Sequence, residues 1–415
     1  MPLISKRFAN DGEPILELSE LQKKYISIFN EKCRSGEYKF RKRSCECGSD
    51  DLDVIAQKDR YGIPMDTVIC RNCGLIMTNP LLDDKSNNAF YDNEYPFIYR
   101  AEEVPSEEMF LDGKKNAEFI ISFIRKHDGK ESGSVLEIGC ADGRNVAAFA
   151  EAGYDACGID LSHRYVEFGK GKGLNLFCTD AASFEKEGKK FDIIVLNHVL
   201  EHFTDIGREI NIIDRMLNPE GCLFISVPGV KALTFGTYAA DFLRLLQNAH
   251  IYNFTKTSLC SVMGRYGFEC IFANEMISSV FRKGSPTDQK NDSYDDIMKY
   301  FRRLEEAGGN LRILLISRAV EKISSYNKGE VLLYGTAKEL DAIVQGVSDV
   351  SSIMGFFYSD IKSPKEVVDY IMRLGKKPKC LVVADIRQNN NIFAGLSELI
   401  KGKEVELFSV YSEQF

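Results

Sequence analysis

An α/β fold built around a mostly parallel sheet is what this chain of 415 residues predicts. Three observations lead there. Apolar strands alternate with helical stretches from residue 134 onward, the pattern of a parallel sheet covered on both faces. The first of those strands runs straight into a glycine turn and a helix, with an acid at the end of the following strand. A second, shorter alternation begins at residue 329, long enough for a separate small α/β domain.

Composition narrows the function classes. The net charge is −8, with 44% apolar and 27% charged residues. That balance fits a folded protein and supplies no basic face for nucleic acid or anionic membrane. No apolar run reaches the roughly 18 residues of a membrane span, and the N-terminus has no export-signal core. Of the 12 cysteines, Cys140, Cys157, Cys178, Cys222, Cys260, Cys270 and Cys380 stand singly, mostly in apolar stretches, as reduced core thiols do. The expected compartment is the cytoplasm, for a monomer or homodimer.

In order along the chain, residues 14–32 have helical apolar spacing, and a cysteine-containing segment spans 45–79. A further amphipathic helix covers 107–126. Strands are expected at 134–139, 156–161, 174–180, 191–197, 222–228, 268–276 and 312–318. Helices near 144–153, 163–171, 205–217 and 256–266 lie between them, and the polar stretch 283–310 reads as an insertion with one helix. The last alternation places strands at 330–335, 353–358, 379–384 and 404–410, with helices near 337–346, 364–374 and 393–401. Three domains follow: 1–106, 107–325 and 326–415.

The turn Glu137-Ile138-Gly139-Cys140-Ala141-Asp142-Gly143 is the most informative stretch. Small residues there let a ligand approach the backbone, and Asp160 can accept both hydroxyls of a ribose. A nicotinamide dinucleotide wants G-x-G-x-x-G, but the middle position here is Ala141 and the last is Arg144. The pattern E-x-G-x-A-x-G resembles instead the first motif of class I S-adenosylmethionine-dependent methyltransferases. Cys178-Thr179-Asp180-Ala181, the segment from Phe191 to Phe203 and the segment from Pro219 to Pro228 are similar to that family's later motifs, in order, over roughly 134–280. The resemblance implies a Rossmann-like domain with a seven-stranded, mostly parallel sheet. It also implies S-adenosylmethionine as cofactor, held by Glu137, Gly139, Ala141, Gly143, Asp160, Leu161, Asp180, Ala181, Asn197 and His198.

Cys45-Glu46-Cys47-Gly48 precedes Cys70-Arg71-Asn72-Cys73-Gly74. Four thiolates satisfy tetrahedral Zn²⁺, so Cys45, Cys47, Cys70 and Cys73 are the candidate ligands of a ribbon-like module. A loop of free cysteines is the alternative, and Cys33 is a spare ligand. His198 and His202 follow the fourth strand, at the end of an α/β sheet where ligands bind. They are four residues apart, but no H-E-x-x-H pattern marks them as a metal pair. His250 precedes a helix that Thr255 can cap.

The layout of zinc module, central methyltransferase and C-terminal Rossmann-like domain resembles that of nucleotide-sugar C-methyltransferases. Their Y-x-E-H segment matches Gln247-Asn248-Ala249-His250, and their other active-site histidine matches His202. The missing tyrosine and glutamate favour O- or N-methylation of a sugar-type small molecule over carbon methylation, which needs a base and enolate stabilisation. The chain looks closer to methyltransferases of surface-polysaccharide sugars, with His202 or His250 as base. A C-methyltransferase of a keto sugar and a non-catalytic cofactor-binding scaffold are the competing readings. Tyr91, Tyr95 and Tyr99 read as packing between domains or as a sugar platform.

Overall fold

A computed structural model describes residues 3–99, 105–286, 291–308, 310–359, 364–384, 396, 399–400 and 404–410. The chain divides into two compact units, Met1–Ala232 with Phe242–Arg302, and Leu233–Asp241 with Arg303–Phe415.

The first unit is organised by a seven-stranded sheet. Its order is Phe268–Ala273, Ser278–Lys283, Leu217–Ser226, Phe191–Asn197, Ser134–Ile138, Asp155–Asp160, Leu176–Cys178. Only Ser278–Lys283 runs against its neighbours. The strand order reverses between Ser134–Ile138 and Phe191–Asn197, which opens a crevice beyond their carboxyl ends. Successive residues point to opposite faces, so each strand feeds two cores. Val135, Val195 and Phe224 pack with Ile120, Ile124, Val146 and Phe149 from the helices Glu107–Asp128 and Arg144–Glu151. Leu136, Ile194 and Ile225 pack with Ile210, Ile213, Leu259 and Met263 from Ile206–Met216 and Lys256–Arg265.

Ahead of this sheet lies a helix, Glu20–Ser35, which starts where Ser19 and Gln22 exchange reciprocal capping bonds, later than the predicted residue 14. Strands Leu52–Lys58, Pro64–Cys70 and Ile76–Thr78 form an antiparallel meander. Its fourth strand, Tyr252–Asn253, comes from the segment just after His250. The cysteine segment and the His250 segment therefore share one sheet.

The second unit has a four-stranded parallel sheet in the order Ile353–Tyr358, Val331–Gly335, Cys380–Ala384, Glu406–Ser409. Helices Leu311–Ser324 and Ala337–Gly346 cover one face, and Pro364–Arg373 covers the other. The helix expected at 393–401 falls largely outside the described residues.

The expected strand at 312–318 is instead part of the helix Leu311–Ser324, capped by Asn310. A short apolar run fits either period. Here Leu315, Ala319 and Ile323 recur every fourth residue on one buried face, and helical packing wins. The seventh strand of the large sheet is Ser278–Lys283, which falls between the expected strand 268–276 and the expected insertion 283–310 and pairs antiparallel with Phe268–Ala273. Among the described residues no helix is long and apolar enough to cross a membrane.

Candidate functional site

The crevice begins at the glycine turn. Gly139 has φ +73°, and a Cβ there would lie 2.4 Å from a Val199 methyl, so only glycine fits. The amides of Gly139 and Cys140 donate to the Ile159 carbonyl at 2.8 and 3.0 Å, tying the turn to the next strand. Ala141 sits at φ +47°, and its amide donates to Asp160 Oδ2 at 2.8 Å. Asp160 Oδ1 accepts the Ser162 amide at 2.7 Å. Each oxygen has a further lone pair for a ligand hydroxyl.

Glu137 is buried beneath this turn. Its Oε1 accepts the Asn145 amide at 2.6 Å, and its Oε2 has no hydrogen-bond partner. Burial pushes its pKa up to about 8, against the pull of Asn145. Its folded pKa exceeds the ordinary value of 4.5, so stability is lost as pH rises from about 4.5 towards 8. Glu137→Gln should flatten that decline, by an amount on the order of a few kcal/mol, in thermal melts between about pH 5 and pH 9. Parallel pH curves for the two proteins would contradict the assignment.

Beyond the second strand, Leu161 is 75% exposed, an apolar platform beside the carboxylate of Asp160. Asp180 caps the short helix Ala181–Phe184 through the Ser183 amide at 2.6 Å, and Ala181 is buried behind it. Asn197 ends the fourth strand, and His198 follows at φ +57°, with an exposed side chain. All ten residues expected to bind cofactor thus lie on the turn or at the carboxyl ends of four strands next to the switch point. The small residues at 139, 141 and 143, the orphaned Glu137 oxygen, the Asp160 lone pairs and the Leu161 platform fit a ligand with an amine, a ribose and a flat apolar base.

Tertiary folding adds residues that the sequence did not single out. Glu201 is buried and neither carboxylate oxygen accepts a hydrogen bond. Its Oε1 lies 3.5 Å from His198 Nδ1, 4.0 Å from His202 Nε2 and 4.0 Å from His250 Nε2. The Ile251 amide donates to the Glu201 carbonyl at 2.8 Å, which joins the two segments. His202 Nδ1 lies 2.8 Å from the Ala249 carbonyl, an acceptor only, so this nitrogen carries the proton and Nε2 keeps its lone pair. The Tyr91 hydroxyl oxygen is 3.0 Å from the same Nδ1. Tyr91, Tyr95 and Tyr99 form a ladder leading to His202, with Tyr91 and Tyr95 stacked at 4.5 Å.

His250 is held differently. Arg60 donates to Gln247 Oε1 at 2.6 Å, so the Gln247 amide nitrogen faces His250 Nε2 and donates to it. Burial, then the neighbouring His202, Arg60 and His198, pulls the pKa of His250 well below the usual histidine value. Glu201, His202 and His250 also stand close enough to share a cation. Asp59 anchors the segment by accepting the amides of Tyr61, Ile63 and Asn248.

The four cysteines converge. Cys45 and Cys73 sulfurs are 3.5 Å apart, those of Cys47 and Cys70 are 3.6 Å apart, and all four lie within 4.8 Å of one another. Tetrahedral zinc with Zn–S bonds of about 2.3 Å needs sulfurs roughly 3.8 Å apart. Gly48 and Gly74, at φ +82° and +69°, turn the chain at each pair. The shorter first pair therefore still reaches the cluster. Cys33 is not part of it and sits in the first helix.

If Asp160 holds a ribose, Asp160→Ala removes a charged acceptor of two hydroxyls. Affinity for S-adenosylhomocysteine should fall by about 30- to 150-fold in calorimetry, the equivalent of about 2–3 kcal/mol. Unchanged affinity would take the ribose away from this residue.

Residues 110–272 match a family model described as a methyltransferase domain. Among curated proteins, the ubiquinone biosynthesis O-methyltransferases of Bartonella tribocorum and Coxiella burnetii are each 29% identical over 117 residues, 26% of this chain. The match covers 47% and 50% of those proteins, so the chain spans about half the length of these relatives. Among solved structures, the 1,6-didemethyltoxoflavin N1-methyltransferase of Burkholderia thailandensis, which holds S-adenosylhomocysteine, is 16% identical with a TM-score of 0.38. That likeness covers 51% of this chain and 96% of the other.

Proposed function

We propose that this chain, which carries a class I S-adenosylmethionine-dependent methyltransferase domain at residues 110–272, methylates an oxygen or nitrogen of a sugar-type small molecule. The bound cofactor supplies a methyl group already activated on a sulfonium. Glu137, Gly139, Ala141, Gly143, Asp160, Leu161, Asp180, Ala181, Asn197 and His198 hold it. What remains is to align the acceptor and remove one proton.

The observation that carries this reading is the hydrogen bond from His202 Nδ1 to the Ala249 carbonyl. It leaves the partly exposed Nε2 with its lone pair free to take a proton, 4.0 Å from the buried Glu201 side chain, which stabilises the imidazolium once the proton arrives. His250, whose Nε2 takes the Gln247 amide, is better suited to orienting the pocket than to receiving that proton. The Gln247 and Ala249 side chains leave enolate stabilisation unprovided, which disfavours carbon methylation. Cys45, Cys47, Cys70 and Cys73 are the ligands of a structural zinc ion, with every position taken by protein.

Mass spectrometry of reactions with a panel of sugars and nucleotide sugars tests the proposal. One acceptor should gain a single methyl, and fragmentation should place it on oxygen or nitrogen. Methyl on carbon would support the keto-sugar alternative. Cofactor binding with no methylated product from any acceptor class would support the scaffold.

A further inference from the structure

A cavity of about 260 Å³ lies in the first unit beside the segment that carries His250. That is below the roughly 300–1,000 Å³ of pockets for drug-sized ligands, and suits a single small ring. Asn248 and Ile251, which bracket His250, form one wall. Thr78, also in the lining, donates from its hydroxyl to the His250 carbonyl at 3.0 Å. The remaining surface mixes aromatic and aliphatic side chains, Phe29 and Leu82 among them, with neutral amides.

Among the described residues its lining contains one carboxylate, Asp66, and no lysine, arginine or histidine. Asp66 is half-buried, and among the described residues its carboxylate has neither a hydrogen bond nor an ion pair. Two other carboxylates that meet this antiparallel layer are neutralised by cations, Asp53 from within it and Asp11 from the N-terminal segment. Asp53 pairs with Arg71 at 2.7 Å, and Asp11 pairs with Lys58 at 2.6 Å. A carboxylate partly removed from water and left without a cation costs stability, and a ligand's positive charge offsets that cost. An anionic group in the same cavity would meet one negative charge and no positive one.

We propose that this cavity anchors the acceptor, and that Asp66 selects a sugar-sized molecule bearing a protonated amine over neutral or phosphorylated counterparts. The neutral amides serve the hydroxyls, and the aromatic and aliphatic lining takes the C–H face of the ring. The name acceptor rests on the methyl-transfer reading; the selectivity for an amine does not.

The test uses the full chain saturated with S-adenosylhomocysteine and saturation-transfer NMR, with D-glucosamine, D-glucose and D-glucose 6-phosphate as probes at pH 7. Glucosamine should bind at least about tenfold more tightly than glucose, and the phosphate most weakly. Asp66→Asn, nearly isosteric, should erase the preference, leave affinity for S-adenosylhomocysteine unchanged and not lower the melting temperature. Equal binding of the amine and the neutral sugar overturns the proposal. So does absence of amine binding up to about 20 mM, or a preference that survives Asp66→Asn. Failure of the chain to bind S-adenosylhomocysteine would count against methyl transfer, and the amine preference would be read separately.

Discussion

His202→Ala should lower kcat by at least about 100-fold while affinity for S-adenosylhomocysteine stays nearly constant. A positioned base contributes about 10²- to 10⁴-fold, and the geometry around His202 is that of a base held in one tautomer. The Ala249 carbonyl accepts a hydrogen bond from Nδ1–H at 2.8 Å, the Tyr91 oxygen stands 3.0 Å from the same nitrogen, and Nε2 faces Glu201. No part of the glycine turn depends on this ring, which is why cofactor binding should be spared. His250→Ala should cost less, because that imidazole accepts the Gln247 amide and is kept neutral by burial and by the charges around it. Single-turnover rates with S-adenosylmethionine and an unmethylated acceptor separate the two variants. If His202→Ala, His250→Ala and the double variant all keep near-full kcat, alignment alone carries the reaction and no base acts here.

The second large effect is expected from Cys70→Ser. Purified protein should carry about one Zn²⁺ per chain, and this variant should lose it, because three thiolates and a hydroxyl bind zinc far more weakly than four thiolates. Metal affinity is folding energy in such a module. A loss of about 3–5 kcal/mol, or roughly 5–10 °C in Tm, is expected, since the module keeps its own apolar contacts. Catalysis should fall with it. Strand Ile76–Thr78, just past the second cysteine pair, holds Tyr252–Asn253 as its edge partner. Glu46, between the first two cysteines, accepts the hydroxyls of Tyr252 and Tyr266. A shift of the cysteine turns is thus passed to the His250 segment and not to the glycine turn. Elemental analysis, melting curves and calorimetry with S-adenosylhomocysteine read these effects. Metal-free protein of unchanged stability would remove the zinc.

Much of this was legible in the chain itself, and for a physical reason. The glycine turn, the Asp160 spacing and the strand–helix alternation are local or nearly local. A backbone at φ +73° beside a Val199 methyl accepts only glycine, and a strand covered on both faces must be apolar throughout. The cysteine pairs were legible because thiolates at such spacing, each followed by a turn glycine, have few other uses. The run 312–318 reads as a strand but folds as a helix because its apolar residues satisfy either period until a partner is chosen, and the partner here is a second sheet.

The sequence by itself determined the fold class, the glycine turn with Asp160 beside it and the two cysteine pairs, since each rests on backbone conformation or side-chain chemistry encoded within a short segment. Only the tertiary structure decided which groups meet beyond the fourth strand of the large sheet. Glu201 looks like an ordinary helix-end acid in sequence; it is a buried carboxylate facing three imidazoles because residues 198–202 and 247–251 meet across the crevice. Likewise nothing local distinguishes Asp66 from Asp53. One finds a cation within its own layer and the other faces a cavity, and that difference arises from packing between distant segments, which no short-range pattern records.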